Sequence, residues 1–523
     1  MSDDKPPALK DAEKNVWFRL ATISRDRETN RRLWNGYMGW KLSDKNKADI
    51  KGRDGKPISF PKLSDEEKER IEQHLGGEEL PDPNWEYYNS GSGIDFSYTR
   101  LPDEVNFSGF IFPPFSRFSS ASFDSWADFS KAIFGDEAIF KKATFVGAAY
   151  FNKASFGNRV RFKRATFGGW GSFRKAIFRD DGSFYRTRFN DGAGFYGATF
   201  RNETSFNKAR FGSGSNLERV IFGDLTSFNK ARFGSGTHFN NAHFGSRTRF
   251  DKARFGDEAS FRDTIFKSST QFWHTKFKAK VDFTGAPPSG AANTRPTPEL
   301  DFSNATFGGE THFTGRHFGE PPLFFEAKLH ENTYFDEDIR RWPKAPEIPK
   351  AARLDQSSEA LKVARKHIKA YQRLSLLMRQ QEKREDKHLF DSLEARARRV
   401  KEGRRSAFFW GSYLYQGLAN YGYGLWRAVL LWLANMGLGA GLLLQPHLWG
   451  ACKYAFSGEV VVAALIKSLL NAHPFLVGQT IETWTNQVLC SGYGGGMIEL
   501  VQGILGAIFL FFLFLTLRNR FRF

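Results

Sequence analysis

The chain has 523 residues, with 55 Phe, 49 Gly and a formal net charge of +19. Phenylalanine at this level exceeds ordinary core usage, so it either recurs in a repeat or fills membrane segments. The basic balance is compatible with nucleic acid, anionic lipid or an acidic partner, and equally with the Lys and Arg excess that orients a membrane protein.

Residues 1–95 are predicted to form a helical N-terminal cap. Ser64 and Glu67 have the spacing of a capping box, and Gly76 is placed to end the helix that follows it. Aromatic residues cluster around Trp17 and Trp34. Such clusters can bind a ligand, but a repeat structure needs an apolar lid over its first coil, so capping is the favoured interpretation. Residues 1–30 lack the apolar region of a signal peptide, which predicts that the N-terminal part stays in the cytoplasm.

From Phe96 to Phe335, phenylalanine recurs at spacings that alternate between five and six positions, with Leu at 101, 217 and 329 and one break at 284–301. Neither the helical period nor the strand period fits this pattern, so each Phe is predicted to be the one large buried side chain of a short segment. The chain must then turn a corner after each segment, and stacked coils align the rings into columns. The predicted core ladder includes Phe123, Phe134, Phe145, Phe156, Phe167, Phe178, Phe189 and Phe200.

The repeating unit, F-x-x-A-x-F, resembles the pentapeptide-repeat family, whose signature is A-[D/N]-[L/F]-x-x. The resemblance implies a mainly β fold, a right-handed quadrilateral β-helix, over residues 96–342. An extra residue in every second repeat lengthens the coil to about 22 residues. It is predicted to form a bulge at alternate corners, where Gly often follows Phe, as at Phe134-Gly135 and Phe211-Gly212.

Some members of the family mimic DNA and bind gyrase, which requires an acidic rod. The rod of this chain is basic, and the cations of one stretch are Lys131, Lys141, Lys142, Arg159, Arg161, Lys163 and Arg164. This basic run disfavours gyrase mimicry.

Two segments interrupt or follow the repeat. Residues 284–301 are rich in Pro, Gly and Ala and are predicted to be a loop, because the Phe register returns at Phe302. Residues 343–405 are predicted to be a helical connector with an amphipathic stripe that includes Leu361 and Met378. The basic stretch 388–405 fits an interfacial helix against anionic headgroups and fits a solvated helix packed on the rod equally well.

Residues 406–523 are predicted to be an α-helical membrane domain. Segments 425–444 and about 497–517 have the length of spans, whereas 460–470 is predicted to be a short helix that does not cross. The Lys and Arg distribution predicts two crossings with cytoplasmic N- and C-termini. The segments NVWFRLAT and FLTLRNRFRF resemble membrane-linked pentapeptide-repeat proteins of Gram-negative bacteria, and the resemblance implies a multi-pass protein of the bacterial inner membrane. Cys452 and Cys490 would then face the periplasm, and the sequence leaves open whether they form a disulfide.

Motifs for catalysis or cofactor binding are missing from the sequence, which contains no H-E-x-x-H, C-x-x-C, Walker A or nucleophile-elbow pattern. No catalytic residue, metal ligand or cofactor is therefore predicted. Gly212-Ser213-Gly214 and Gly234-Ser235-Gly236 resemble fragments of phosphate-binding loops, but they recur in register at solenoid corners, which favours a structural role.

The function predicted from the sequence is that of a membrane-tethered scaffold whose basic rod is presented to an unknown protein partner in the cytoplasm. Anionic lipid headgroups are predicted as a second contact. Nucleic acid is electrostatically compatible, but nothing in the sequence indicates base readout. The alternative is a subunit of a pore or ion channel built from the C-terminal helices, because Ser491-Gly492-Tyr493-Gly494 stands between the two predicted spans.

Overall fold

A computed structural model of the chain describes residues 8–78, 80–84, 93–285, 296–343, 359–403, 406–419, 425–448, 458–472, 485, 489 and 495–521. The chain divides into two compact units. The first comprises residues 1–344 with 373–387, and the second comprises residues 345–372 with 388–523. The predicted connector is therefore shared between the two units.

Short parallel strands, most of them with only two residues, make up the repeat region. Each strand pairs with the strand one coil further on, so that Phe145 is opposite Phe167 and Phe167 is opposite Phe189. The same register recurs on each side of the coil, and the described chain is a parallel β-solenoid of about ten turns. The coil length that the Phe spacing predicts is confirmed by these pairs.

The strands belong to five sheets in the part of the chain that the structure describes. The 11-stranded sheet contains Lys10–Asp11, Thr99–Leu101, Ser122–Phe123, Thr144–Phe145, Thr166–Phe167, Arg188–Phe189, Arg210–Phe211, Arg232–Phe233, Arg254–Phe255, Lys276–Phe277 and Thr306–Phe307. The eight-stranded sheet contains Ile111–Phe112, Ile133–Phe134, Ser155–Phe156, Ile177–Phe178, Thr199–Phe200, Ile221–Phe222, His243–Phe244 and Ile265–Phe266. The smaller sheets contain Val105–Asn106, Ala127–Asp128, Ala149–Tyr150, Gly171–Ser172 and Ala193–Gly194; Ala259–Ser260, Val281–Asp282, Thr311–His312 and Thr333–Tyr334; and Thr270–Gln271 and Leu300–Asp301.

Phenylalanine forms four columns through the interior, which we number first to fourth by Phe145, Phe151, Phe156 and Phe162. Within a column, successive rings stack nearly parallel, with centroid distances of 4.5–5.4 Å. Small residues such as Ala165 are fully buried and fill the space beside the rings. Each coil thus buries its rings against the coils on both sides, which explains why no single repeat is stable by itself.

The predicted core ladder lies in two of these columns, and all eight rings are buried. The first column holds Phe123, Phe145, Phe167 and Phe189, and the third holds Phe134, Phe156, Phe178 and Phe200.

Where two successive Phe residues are six positions apart, the extra residue lies at the corner after a ring of the first or third column. Gly212 follows Phe211 of the first column, and Gly135 follows Phe134 of the third column. At both positions a Cβ atom would overlap atoms of the preceding turn, Asn190 and Pro114 respectively. Glycine is needed here because the backbones approach too closely for a side chain, as the alternate-corner prediction requires.

The insertion adds residues to one coil, and the solenoid continues after it. The interval from Phe277 to its strand partner Phe307 is longer than the ordinary interval from Phe255 to Phe277. Phe283 nevertheless stacks on Phe313 with a centroid distance of 5.2 Å. Of the predicted loop, residues 286–295 lie outside the described part of the chain.

A buried arginine occupies the interior at the insertion, where the third column passes from Phe266 to Phe318. The Arg316 guanidinium donates hydrogen bonds to the carbonyl oxygens of Phe283 at 2.6 Å and of Phe261 and Thr264 at 3.2 Å. It also lies over the Phe266 ring, 5.6 Å from the centroid. Burial lowers the pKa of Arg316 to about 10, against the opposing charges of Asp263 and Asp282. The group therefore remains cationic at neutral pH.

The N-terminal residues close the first coil. The helices are α1 Val16–Ala21, α2 Arg27–Lys41, α3 Asp44–Asp49 and α4 Asp65–His74. The Ser64–Glu67 capping box at the start of α4 is present as predicted. Trp34 is fully buried, lies 5.3 Å from Phe110 and 5.5 Å from Phe112, and donates from Nε1 to the Ile111 carbonyl at 2.8 Å. The aromatic cluster around Trp34 is thus part of the lid over the solenoid end.

Helices follow the solenoid. They are α5 Glu359–Gln380, α6 Arg384–Glu402, α7 Ala407–Ala419, α8 Leu425–Leu448, α9 Gly458–Ala472 and α10 Gly495–Phe521. The apolar face of α6, which includes Phe390 and Leu393, is buried within the protein. The contact of the basic stretch with anionic headgroups stays a prediction.

One helix is long and apolar enough to cross a membrane among the described residues, namely α10 through Leu500–Leu517. The prediction of two spans is therefore met for one segment only. In α8 the apolar stretch is Val429–Leu444, because Arg427 precedes it and Gln445 follows it. That stretch falls short of the about 20 residues that a span needs.

The C-terminal helices α8, α9 and α10 pack together with polar side chains inside. Gln502 is buried and donates from Nε2 to the Asn435 carbonyl at 3.1 Å and to Ser468 Oγ at 2.6 Å. Gly439 faces the same amide, and a Cβ there would overlap it. Large apolar side chains such as Phe511 and Phe514 are exposed. A small apolar cluster that includes Leu443 and Val460 is buried as well. The hydrogen-bonded amide inside and the large apolar side chains outside distinguish these helices from a soluble bundle.

Candidate functional site

Two adjacent columns of cations run along one side of the solenoid. We call them the basic face. The corner column consists of Arg164, Arg186, Lys208, Lys230 and Lys252, which stand two positions after the rings of the fourth column. The strand column consists of Arg188, Arg210, Arg232, Arg254 and Lys276, which stand immediately before the rings of the first column. K-A-R-F recurs once per coil at 208–211, 230–233 and 252–255, and R-T-R-F occupies the same register at 186–189, so cations stand in register on successive turns.

The side chains of the corner column point outward because the backbone of each residue is left-handed. These residues have φ values of 59° to 60°, a conformation that turns the chain sharply and that non-glycine residues adopt at an energetic cost. The backbone N–H of each residue still reaches the next turn: Arg164 N donates to the Tyr185 carbonyl at 2.9 Å, and Lys230 N donates to the Asp251 carbonyl at 2.8 Å. The solenoid ladder thereby holds the strained corner in place and the side chain on the surface.

The strand column owes its direction to the alternation of a β-strand. Phe211 and Phe233 point inward and are buried, so Arg210 and Arg232 before them point outward and are exposed. Successive members of the column are Cα partners in adjacent parallel strands. Their spacing along the axis is therefore the inter-strand distance of about 4.8 Å.

A groove of about 550 Å³ lies along these two columns. Its walls are formed by Arg164, Thr166, Arg186, Arg188, Lys208, Arg210, Lys230 and Arg232. All of these side chains except Thr166 are cations, and none is aromatic or acidic. The groove is therefore a linear channel bordered by cations.

The ten cations of the basic face have no carboxylate within salt-bridge distance among the described residues. Some cations elsewhere on the solenoid do have acidic partners: Arg159 lies 2.7 Å from Glu137, and Lys278, just past the face, lies 3.2 Å from Asp257. Repulsion among uncompensated like charges works against folding. A surface that keeps them unpaired over several turns is suited to a negatively charged ligand.

The pKa of Tyr185 is shifted by the electrostatic field of the basic face. Lys208 Nζ donates to the phenolic oxygen at 3.2 Å, and Arg186 and Lys163 lie 5.3 and 5.6 Å from the ring centroid. The hydrogen bond from Lys208, followed by the charges of Arg186, Lys208 and Lys163, holds the pKa of Tyr185 below its ordinary value of 10.0. The phenolate form is favoured because three cations surround it.

Replacing Lys208 by Met is expected to raise the pKa of Tyr185 toward its ordinary value, because the strongest interaction that favours the phenolate is removed. The measurement is tyrosinate absorbance during a pH titration, taken as the difference between each protein and its Tyr185→Phe counterpart. Arg201→Gln, an exposed cation beside the third column, is the control and should leave the pKa unchanged. An identical titration in the Lys208→Met protein would contradict this account of the field.

The fold brings part of the predicted basic run together and separates the rest. Lys142 stands two positions after Phe140 of the fourth column and extends the corner column by one turn before Arg164, although of the run only Arg164 lines the groove. Lys131 turns the corner after the second column, and Arg159 is paired with Glu137. The signal that identifies the face is the recurrence of K-A-R-F at 208–211, 230–233 and 252–255, an interval of one coil, and not the density of charge along the chain.

Three further features concern the cysteine pair, metal binding and the Gly-Ser-Gly segments. Cys452 and Cys490 lie outside the described residues, so their proposed disulfide stays a prediction. Within the described ranges, no group of three or more His, Cys, Asp and Glu side chains is arranged to hold a metal ion. The Gly212 and Gly234 segments form solenoid corners in which the neighbouring turn leaves no room for a Cβ, in agreement with their structural interpretation.

A comparison with protein families matches the middle of the solenoid. The matching family model is described as pentapeptide repeats (9 copies) and covers residues 129–177, 184–232 and 228–276. The basic face lies almost wholly within these ranges. A search of curated proteins and a search of solved structures found no match.

Proposed function

We propose that this chain, which belongs to the pentapeptide-repeat family through residues 129–177 and 184–276, is a membrane-tethered scaffold that recruits a protein partner to its basic face. The observation that carries the proposal is the pair of in-register cation columns without carboxylate partners among the described residues. Complementary charge of this kind steers a partner and sets its orientation.

Rigidity supports the role of a scaffold. Every coil of the repeat is held to its neighbours by backbone hydrogen bonds and by stacked rings, such as Phe167 between Phe145 and Phe189. Side chains on such a framework keep a fixed spacing before a partner arrives. Less conformational entropy is then lost on binding than with a flexible segment.

The C-terminal helices support the tether. Leu500–Leu517 has the length and composition of a span, and its outward side chains Leu500, Phe511 and Phe514 are exposed in the described structure. Gln502 is buried and hydrogen-bonded to Asn435 and Ser468, as polar residues are in helices that face lipid. One crossing is sufficient for a tether. The proposal keeps the solenoid in the cytoplasm of a bacterium, as expected from the sequence.

The pore alternative has less support. Gln502 fills the centre of the packed helices and contacts Gly439 so closely that a methyl group would not fit between them. Its amide hydrogens are both used, by Asn435 and Ser468. A polar side chain that is packed and hydrogen-bonded in this way fixes the helices to one another. The Ser491-Gly492-Tyr493-Gly494 segment, on which the pore alternative is based, lies outside the described residues.

Site-specific crosslinking in the living cell tests the scaffold role. A photoreactive amino acid is placed at Thr166, which lines the groove, or at Thr199, a half-buried strand position beside the third column. We expect adducts from position 166 only, and their loss when Arg188, Arg210 and Arg232 are replaced by Gln. Adducts of equal yield from both positions would contradict a specific role for the basic face.

Membrane fractionation tests the tether separately. The full chain is expected to remain in carbonate-washed membranes, whereas a variant that ends after Glu402 should be released, because it lacks Leu500–Leu517. Retention of the truncated variant would place the membrane contact elsewhere in the chain.

A further inference from the structure

We infer that the groove of the basic face binds an extended acidic segment of polypeptide, with successive carboxylates placed between the corner and strand columns. This inference rests on the proposed function and specifies the chemistry of the partner. Its support comes from the width of the groove, the kinds of cation that border it and the side chains that it lacks.

The cross-section of the groove is close to that of one extended polypeptide segment. Its volume of about 550 Å³ extends over the four turns from Arg164 to Arg232, which is about 14 Å of axis at the inter-strand rise. The cross-section is then on the order of 40 Å², close to that of a single extended chain packed at about 4.8 by 10 Å. A nucleic-acid duplex or a bilayer surface would contact only the cations at the rims of a groove of this size.

The side chains of the strand column are suited to binding successive carboxylates of one peptide. Four consecutive members of the strand column are arginines, at positions 188, 210, 232 and 254, whose planar forks bind a carboxylate bidentately. An extended peptide presents side chains on one face about every 6.7 Å, whereas the cations recur about every 4.8 Å in each column. Long Arg and Lys side chains absorb this difference, so the face is expected to recognise acidic charge with little dependence on sequence.

The groove lacks the features that bind single-stranded nucleic acid. Proteins of that kind stack successive bases on aromatic side chains, and none of the eight lining residues is aromatic. The nearest ring of the face, Tyr185, is already flanked by Arg186 at 5.3 Å and Lys208 at 5.4 Å. The cations would attract nucleic acid, but the lining of the groove offers no aromatic side chain on which a base could stack.

The experiment measures the affinity of the full chain in detergent for octaglutamate with blocked ends, labelled with a fluorophore. We expect the Arg188→Gln/Arg210→Gln/Arg232→Gln variant to bind about ten-fold more weakly, because three exposed charge pairs of modest strength are lost together. The matched control is Lys175→Gln/Arg201→Gln/Arg247→Gln, which removes the same charge from exposed positions beside the other columns and should change affinity less than two-fold. The Arg→Lys version of the face variant should fall between them, because it keeps charge and loses the forks.

The comparison probes are octauridylate and vesicles that contain phosphatidylserine. Tighter binding of either probe, lost in the same face variant, would overturn the choice of an acidic peptide. Equal loss in the face variant and in the control would show that only net charge matters, which also contradicts the inference. If octaglutamate fails to bind while crosslinking from Thr166 still depends on the arginines, the inference fails and the scaffold role stands.

Discussion

Replacing Phe167 by Ala is expected to lower the free energy of unfolding of the solenoid by about 3–5 kcal/mol. The ring is fully buried and stacks between Phe145 at 4.8 Å and Phe189 at 4.7 Å, with Phe173 edge-on at 5.6 Å. Truncation removes the transfer free energy of the ring and leaves a cavity that flanking coils cannot close, because the backbone hydrogen bonds fix their separation.

Urea unfolding of the detergent-solubilised chain, followed by circular dichroism of the β signal, measures this effect. The control is Arg201→Ala, an exposed cation beside the third column, which should change the free energy of unfolding by less than about 0.5 kcal/mol. In a solenoid the coils nearest the lesion are expected to unfold first, so hydrogen exchange should accelerate around residue 167 before it does near Trp34. Equal shifts for the two variants would contradict the stacked-column core.

Replacing Arg316 by Ala is expected to lower the free energy of unfolding by about 3–5 kcal/mol. The guanidinium lies in the interior at the insertion and donates to the carbonyl oxygens of Phe261, Thr264 and Phe283. Its removal takes a donor from the Thr264 and Phe283 carbonyl oxygens, whereas the Phe261 carbonyl keeps a hydrogen bond from Thr264 Oγ1. The removal also opens a cavity beside Phe266. The loss follows from unmade hydrogen bonds and lost packing together.

The same urea titration, at pH 6 and again at pH 8, measures the Arg316 effect. The pKa of Arg316 is lowered to about 10 by burial, so the group is charged in the folded and unfolded states at both pH values and the effect should be the same. Arg316→Lys should show a smaller loss, since an ammonium keeps the charge but cannot reach all the carbonyls. The control Arg340→Ala changes an exposed arginine near the solenoid end. A loss in Arg316→Ala no larger than in this control would show that the interior is not organised around the guanidinium.

The solenoid could be predicted from the sequence because each coil makes its interior from one kind of side chain at a fixed interval. The alternating Phe spacing determines the register that pairs Phe145 with Phe167, and it determines the corners at which the extra residue lies, as at Gly135 and Gly212. The Ser64–Glu67 capping box was equally readable, because capping depends on residues only three positions apart.

The basic face, the Arg316 site and the membrane helices depended on tertiary structure. Arg188 and Arg210 are a full coil apart in the chain, yet they are neighbours because their strands pair, whereas Arg159 and Arg164 are close in sequence and lie at different corners. Arg316 becomes an interior group only because the insertion interrupts the third column between Phe266 and Phe318, a gap that its long side chain reaches. Local patterns determine which residues a single coil buries. Which charges stand together is decided between coils, where side chains distant in sequence share one surface, and where no carboxylate of the described residues lies within salt-bridge distance of the basic face.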